Sequence, residues 1–332
     1  MEALPPIPAS VSPSVLDVPG SEALVFAASA AADPSGSASP FLDSLRKAWG
    51  PTRAALADVY LFGAAVRRDS VPTSELLEDV GGGRVASRFR VSPVLGTVVV
   101  ADAPLGHPDA VLPPSPTTAS LAAVLPRQVD RALDVGCGAG TLALALVAED
   151  VTAVDVSERA CALTRLNASL HSRAIDVLRG DLLEPVAGRR FELVVSQPPY
   201  LPLPPGVPTT AYLHGGEVGD EVTRRLLAAI PGVLAADGIG IVRADRAVDA
   251  RPFAGIEVSW PGPDPYDIAG AYAAVHVPVE GAKRDEVAAA YRAHLPRTRS
   301  ALVVVTGDGT MGTVELDEPP TTYEALLAAA GR

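Results

Sequence analysis

Ala132-Leu133-Asp134-Val135-Gly136-Cys137-Gly138-Ala139-Gly140-Thr141 decides the fold of this chain. Its first four residues read as the end of a buried strand, and glycines at alternate positions then turn the backbone into a helix starting near Thr141. Such a loop lets main-chain groups approach a nucleotide-like ligand. A dinucleotide fingerprint needs its third glycine one place later, beside a pyrophosphate, so the spacing Gly136-x-Gly138-x-Gly140 fits a ligand without a phosphate to cradle. Outward from the loop, the apolar run Val151-Thr152-Ala153-Val154 ends in Asp155, about one β-α unit on, where a carboxylate can accept both ribose hydroxyls. Ser157 is a helix N-cap candidate, and apolar residues at helical spacing continue to His171. Asn167 there reads as a surface helix residue rather than a ligand. A third run, Val177-Leu178-Arg179-Gly180-Asp181-Leu182, again carries an acid at its end, although Asp after Gly is also an ordinary turn pair.

The segment Phe191-Glu192-Leu193-Val194-Val195-Ser196-Gln197-Pro198-Pro199-Tyr200 ends an apolar strand in an amide, two prolines and an aromatic ring. The prolines fix φ and remove two backbone donors, which leaves nearby carbonyls free to accept hydrogen bonds from a bound amino group. Then come the turn His214-Gly215-Gly216-Glu217-Val218-Gly219-Asp220, a helix-patterned run from Glu221 to about Ile230, and a strand Ile239-Gly240-Ile241-Val242.

Together these segments resemble the class I S-adenosylmethionine (SAM)-dependent methyltransferases. Within them they resemble the amino-methylating branch with an (Asn/Asp/Ser)-Pro-Pro-(Tyr/Phe) motif, closest to release-factor glutamine N5-methyltransferases. The resemblance implies an α/β fold: a Rossmann-like, seven-stranded domain, with an N-terminal, mostly helical accessory domain and a β-hairpin connector. It implies SAM as cofactor, held by Asp134, Gly136, Gly138 and Gly140 at the methionine end, by Asp155 and Val156 at the ribose, and by Asp181 and the backbone of Leu182 at the adenine. Gln197 would take the Asn role and border the cofactor, Pro198 would lend its carbonyl, and Tyr200 would stack on a planar acceptor. Thr118, in Pro113-Pro114-Ser115-Pro116-Thr117-Thr118, matches a Pro-rich segment whose Thr meets the cofactor in that family, and reads equally well as part of a linker and helix cap. Gln in place of Asn adds one methylene. Either the surrounding backbone compensates, or the acceptor is not a release-factor glutamine.

Composition narrows the alternatives. At 332 residues the chain holds such a domain plus a second one, and the formal charge of −12 without a Lys/Arg run disfavours nucleic acid. Cys137 and Cys161 are too few for a disulfide scaffold or a zinc site, and the five scattered histidines give no metal centre. His214 alone lies near the presumed site. No run reaches the length of a membrane span and no basic leader opens the chain, so the expected location is the cytoplasm.

The resemblance is specific from about Pro113 to Val242. Residues 1–40 form a Pro/Ser/Ala-rich segment. Residues 41–112 are expected to be helical to about Glu78, followed by a hairpin of Ala86–Val91 and Leu95–Ala101. Residues 113–332 form the methyltransferase domain, with strands Ile256–Trp260, Ala301–Val305 and Thr313–Leu316, a helix Arg284–His294 in an insertion over 261–299, and a terminal helix Tyr323–Ala330. The expected activity is SAM-dependent N-methylation of an amide or planar amino group on a protein or a small molecule. The many prolines, and 25 Arg against two Lys, point to GC-rich coding and give a natural-product acceptor some weight. The alternatives are methylation of an exocyclic amine in RNA or DNA, and a non-catalytic SAM-binding partner protein.

Overall fold

The computed structural model describes residues 4–19, 40–103, 107–207, 212–264, 269 and 282–332. The accessory region opens with α1 (Pro40–Trp49) and α2 (Pro51–Tyr60). Helix ends there, not at Glu78. Gly63 adopts φ +68°, and the chain turns into β1 (Val66–Arg67), β2 (Leu77–Gly81) and β3 (Arg84–Ser87), an antiparallel sheet in the order β1-β3-β2. The region is therefore mixed rather than mostly helical. The connector hairpin is β4 (Phe89–Val94) and β5 (Thr97–Asp102), paired from Phe89–Asp102 to Val94–Thr97. Residues 4–19 lie against this region, burying Val11, Val15 and Val18.

After α3 (Pro116–Ala123), the chain alternates β6 (Val129–Val135), α4 (Thr141–Ala145), β7 (Ala148–Asp155), α5 (Glu158–Leu170), β8 (Asp176–Arg179) and β9 (Phe191–Ser196). The short pair β10 (Leu201–Pro202) and β11 (His214–Gly216) precedes α6 (Glu221–Ala229) and the long strand β12 (Leu234–Ala247). Then come β13 (Ile256–Pro261), α7 (Ala282–His294), β14 (Thr298–Thr306), β15 (Gly312–Glu315) and α8 (Tyr323–Ala329). Of the insertion, α7 is described, while most of 265–281 lies outside the described residues.

The main sheet runs β15-β13-β14-β12-β9-β6-β7-β8. It has eight strands rather than seven, because β15 adds itself in parallel outside β13. The strands from β12 to β8 are mutually parallel, and β14 is antiparallel to both its neighbours. Period-two alternation sorts the central side chains to two faces: Ala132, Leu193 and Val195 join one core, and Leu133, Val135 and Val194 the other. Helices cover both faces, so these strands are apolar throughout. The chain moves outward from β6 to β7 and β8, then returns to β9 on the other side of β6. That reversal opens a crevice at the carboxyl ends of β6 and β9, where open α/β sheets bind ligands.

Candidate active site

The crevice is a cleft of about 830 Å³. Asp134, Gly136, Gly138, Asp155, Val156, Asp181, Leu182, Gln197, Pro198 and Thr118 all line it, so one wall system gathers ten residues singled out from the sequence.

The glycine loop is bent back onto β7: Gly136 and Cys137 N–H groups both donate to the Val154 carbonyl, at 2.8 and 3.1 Å. Gly136 and Gly138 have φ of +74° and +54°, and a Cβ at Gly136 would meet no atom within 4 Å. Gly136 leaves open space where a ligand can reach main-chain groups, and a Cβ at Gly138 would meet only Val111 Cγ1, at 3.8 Å. Gly140 differs. It does not line the cleft, and its Cβ position lies 2.9 Å from Thr164 Cγ2, so this glycine lets the loop pack on α5.

Asp134 is 1% exposed. Its Oδ2 accepts the Ala143 N–H at 3.0 Å, while Oδ1 has no hydrogen-bond partner among the described residues. Burial pushes its pKa up to about 7; the Ala143 N–H pulls against this, and the charge of Asp155 adds to it. A buried carboxylate oxygen with no donor fits an ammonium. Asp155 is already held: its Oδ2 accepts the Gly138 N–H at 2.9 Å and its Oδ1 the Ser157 N–H at 2.8 Å. Its pKa is also raised, by burial against those N–H donors. Each oxygen keeps a further lone pair for a hydroxyl. Val156, 58% exposed, offers an apolar surface beside it, and Leu182 turns through φ +48° across the cleft. Asp181 forms an ion pair with Arg225 of α6, which also lines the cleft. The partnerless oxygen, the open glycines, the acid ending β7 and the apolar patch fit SAM part by part.

At the end of β9, the Ser196 hydroxyl donates to the Val135 carbonyl at 2.7 Å and ties β9 to β6. Gln197 Oε1 accepts from the Thr118 hydroxyl at 3.1 Å. Thr118 also belongs to a capping box with Ser115 at the start of α3, so it is both a cap residue and a cleft residue. Tyr200 does not line the cleft. Its hydroxyl bonds the Thr117 side chain, and its ring lies 5.9 Å from the Arg243 guanidinium carbon, which in turn lies 5.3 Å from the Trp260 ring. Burial, then the charge of Asp245, pushes the Tyr200 hydroxyl up to about 12 against Arg243 and Thr117.

Several partnerships around the cleft are not announced by the sequence. Arg243, Asp245 and Ser300 form a buried triangle behind Tyr200, with Arg243 Nη1 to Asp245 Oδ1 at 2.7 Å and Ser300 Oγ to the same oxygen at 2.8 Å. The Arg-x-Asp spacing after the strand Ile239–Val242 was visible, but its convergence with Ser300 across β12 and β14 was not. His214 is buried, lines the cleft, and bonds the Tyr291 hydroxyl of α7 through Nε2 at 2.8 Å; burial lowers its pKa and favours the neutral ring. Asn167 is fully buried rather than on the surface. Its Oδ1 accepts the Val100 N–H, and its Nδ2 donates to the carbonyls of Val100 and Ala139.

Comparison with known proteins agrees with this geometry. Residues 115–251 match the family model of the methyltransferase small domain. The chain is 35% identical over 167 residues to the release factor glutamine methyltransferase of Escherichia coli K12, covering 47% of this chain and 58% of that protein. It is 34% identical over 134 residues to its namesake in Geobacter sulfurreducens, covering 35% of this chain and 47% of that protein. It is 34% identical over 126 residues to the ribosomal protein uL3 glutamine methyltransferase of Xanthomonas campestris, covering 34% of this chain and 41% of that protein. The chain thus spans about half the length of these relatives. Over residues 115–251, which hold the glycine loop and the end of β9, it is similar to the methyltransferase small domain.

Proposed function

We propose that the chain is a SAM-dependent N-methyltransferase whose acceptor is a side-chain amide of a protein. The observation that carries this reading is the placement of Gln197 and Pro198, at the carboxyl end of β9, in the same cleft as the partnerless carboxylate oxygen of Asp134. SAM supplies an electrophilic methyl group. Asp134, the Gly136–Gly138 backbone, Asp155, Val156, Asp181 and Leu182 would hold it. An amide nitrogen is a poor nucleophile because its lone pair is delocalised. Gln197 Oε1 and the Pro198 carbonyl would accept its two N–H bonds and localise that lone pair, so positioning supplies much of the rate. The neutral His214 adds no charge to this wall.

The relatives named for glutamine methylation support an amide acceptor. The longer Gln197 arm, and α7 joined to the cleft through Tyr291–His214, favour an amide other than that of a release factor. The test is labelled SAM with the purified chain, a release factor, ribosomal protein uL3, and host lysate divided into protein, RNA and small-molecule fractions. Label in the protein fraction is expected, at a residue that becomes N-methylated. Gln197→Ala should lower transfer at least ~10-fold, with SAM affinity within a few-fold. Label confined to RNA, or none with SAM bound, would overturn the reading. Efficient release-factor turnover by wild type, with no gain in Gln197→Asn, would return the acceptor to release factors.

A further inference from the structure

The extra methylene of Gln197 raises the question of what keeps its amide oxygen in one place. A glutamine side chain has three rotatable bonds and its carboxamide turns freely, so an unrestrained one would present oxygen and NH2 to the cleft by turns. The network at the start of α3 removes that freedom. Thr118 Oγ1 lies 3.4 Å from the Ser115 N–H, 3.1 Å from Ser115 Oγ and 3.1 Å from Gln197 Oε1. In return, Ser115 Oγ accepts the Thr118 N–H at 3.3 Å.

A hydroxyl has one proton and two lone pairs. The Ser115 N–H can only donate, so it takes one lone pair of Thr118 Oγ1. If the Ser115 hydroxyl takes the other, the Thr118 proton has one destination left, Gln197 Oε1. That assignment satisfies every group in the network. The opposite rotamer of the carboxamide would bring an N–H donor to Thr118 Oγ1, turn the Thr118 proton onto Ser115 Oγ and leave the Ser115 proton without a partner in the network.

We infer that Thr118 is a positioning residue: the capping box of α3 holds its hydroxyl against Gln197, and the proton it donates pins the oxygen of Gln197 at the acceptor wall of the cleft. This inference rests on the N-methyltransferase reading for its catalytic consequence, although the orientation itself does not. One lone pair of Gln197 Oε1 goes to Thr118 and the second remains for an acceptor N–H, so the longer arm serves where a shorter amide would need no tether. Thr117, one residue earlier on the same helix turn, bonds Tyr200. The first turn of α3 therefore holds both polar members of the Gln-Pro-Pro-Tyr segment.

The test uses the full chain, which contains two glutamines, Gln128 and Gln197. Selective 15N-glutamine labelling gives two side-chain amide signals, and Gln197→Ala identifies which is which. Thr118→Val, which keeps the shape and loses the hydroxyl, should shift or broaden the Gln197 signal and leave Gln128 unchanged; Thr118→Ser should keep the wild-type position. With an acceptor that the wild type methylates, Thr118→Val should lower kcat at saturating SAM by about tenfold. In the Gln197→Ala background the same change should have no further effect, because neighbours in one network are non-additive. A cap residue acting through fold stability alone would lower both backgrounds equally, and that outcome overturns the inference. An unshifted Gln197 signal in Thr118→Val overturns it too. Absence of transfer to any amide sinks the activity reading, while the spectra still decide the orientation.

Discussion

Replacing Asp134 by Asn should make the ligand-free protein more stable at pH 8 while weakening its hold on SAM. The carboxyl is buried, one oxygen has no donor, and its pKa stands at about 7 against an ordinary 3.8. At about 1.4 kcal/mol per unit, that displacement sets a ceiling of about 4 kcal/mol on the cost of keeping it ionised in the folded chain. The sign follows from proton counting. Between about pH 4 and 7 the folded protein holds a proton that the unfolded chain has released, so stability falls as pH rises through that window and the loss is complete above 7. Asn keeps an acceptor for the Ala143 N–H and carries no charge. Urea denaturation without ligand should show the variant gaining stability over wild type from pH 5 to pH 8. Calorimetry should show SAM bound ~10- to 100-fold more weakly, the loss of one charged hydrogen bond. Wild-type affinity should also fall roughly tenfold per pH unit below 7, a slope absent in the variant. A variant with the wild-type pH slope of stability, or with undiminished affinity, would refute the assignment of Asp134 to the ammonium.

Asp155→Ala should weaken SAM ~10- to 100-fold by calorimetry, through a lost ribose acceptor and a released Gly138 N–H; unchanged affinity would remove Asp155 from the ribose. Gly140→Ala should cost about 2–5 kcal/mol in chemical denaturation, from a φ of +81° and a contact with Thr164, with little change in SAM affinity. The reverse pattern would place Gly140 at the cofactor. Glu257→Ala should cost about 3–5 kcal/mol, because it strands the buried guanidinium of Arg246, which Glu257 accepts at 2.9 Å; a loss under 1 kcal/mol would mean that water reaches Arg246.

The parts of this molecule governed by local pattern were legible from sequence. Ser157 caps α5 as its position promised, and the runs ending at Asp134, Asp155 and Ser196 are parallel strands of one sheet. The glycine spacing gave the loop, though it could not separate Gly136 and Gly138, which face the cleft, from Gly140, which faces Thr164. That distinction depends on a residue 24 positions away. Long-range pairing was invisible for the same reason: nothing near Arg243 announces Ser300, and nothing near His214 announces Tyr291. The accessory region was misread beyond Tyr60 because scattered apolar residues mimic a helical face, whereas Gly63, Pro72 and the Gly81–Gly83 turn set short strands. Asn167 looked like surface because a polar residue on an amphipathic helix usually is.

That asparagine has a wider consequence. By bonding the N–H and carbonyl of Val100 in the connector hairpin and the Ala139 carbonyl in the glycine loop, it makes the accessory region part of the sheet domain's own hydrogen-bond inventory. The apolar side chains of Val99, Val100, Ala160, Leu163 and Leu166 belong to the same buried cluster. A chain cut at residue 113 would expose the outer side of α5 and leave Asn167 without its two Val100 partners, so the two regions should melt in one transition rather than two. A substitution in the hairpin should then be felt as looseness in the glycine loop that lines the cleft.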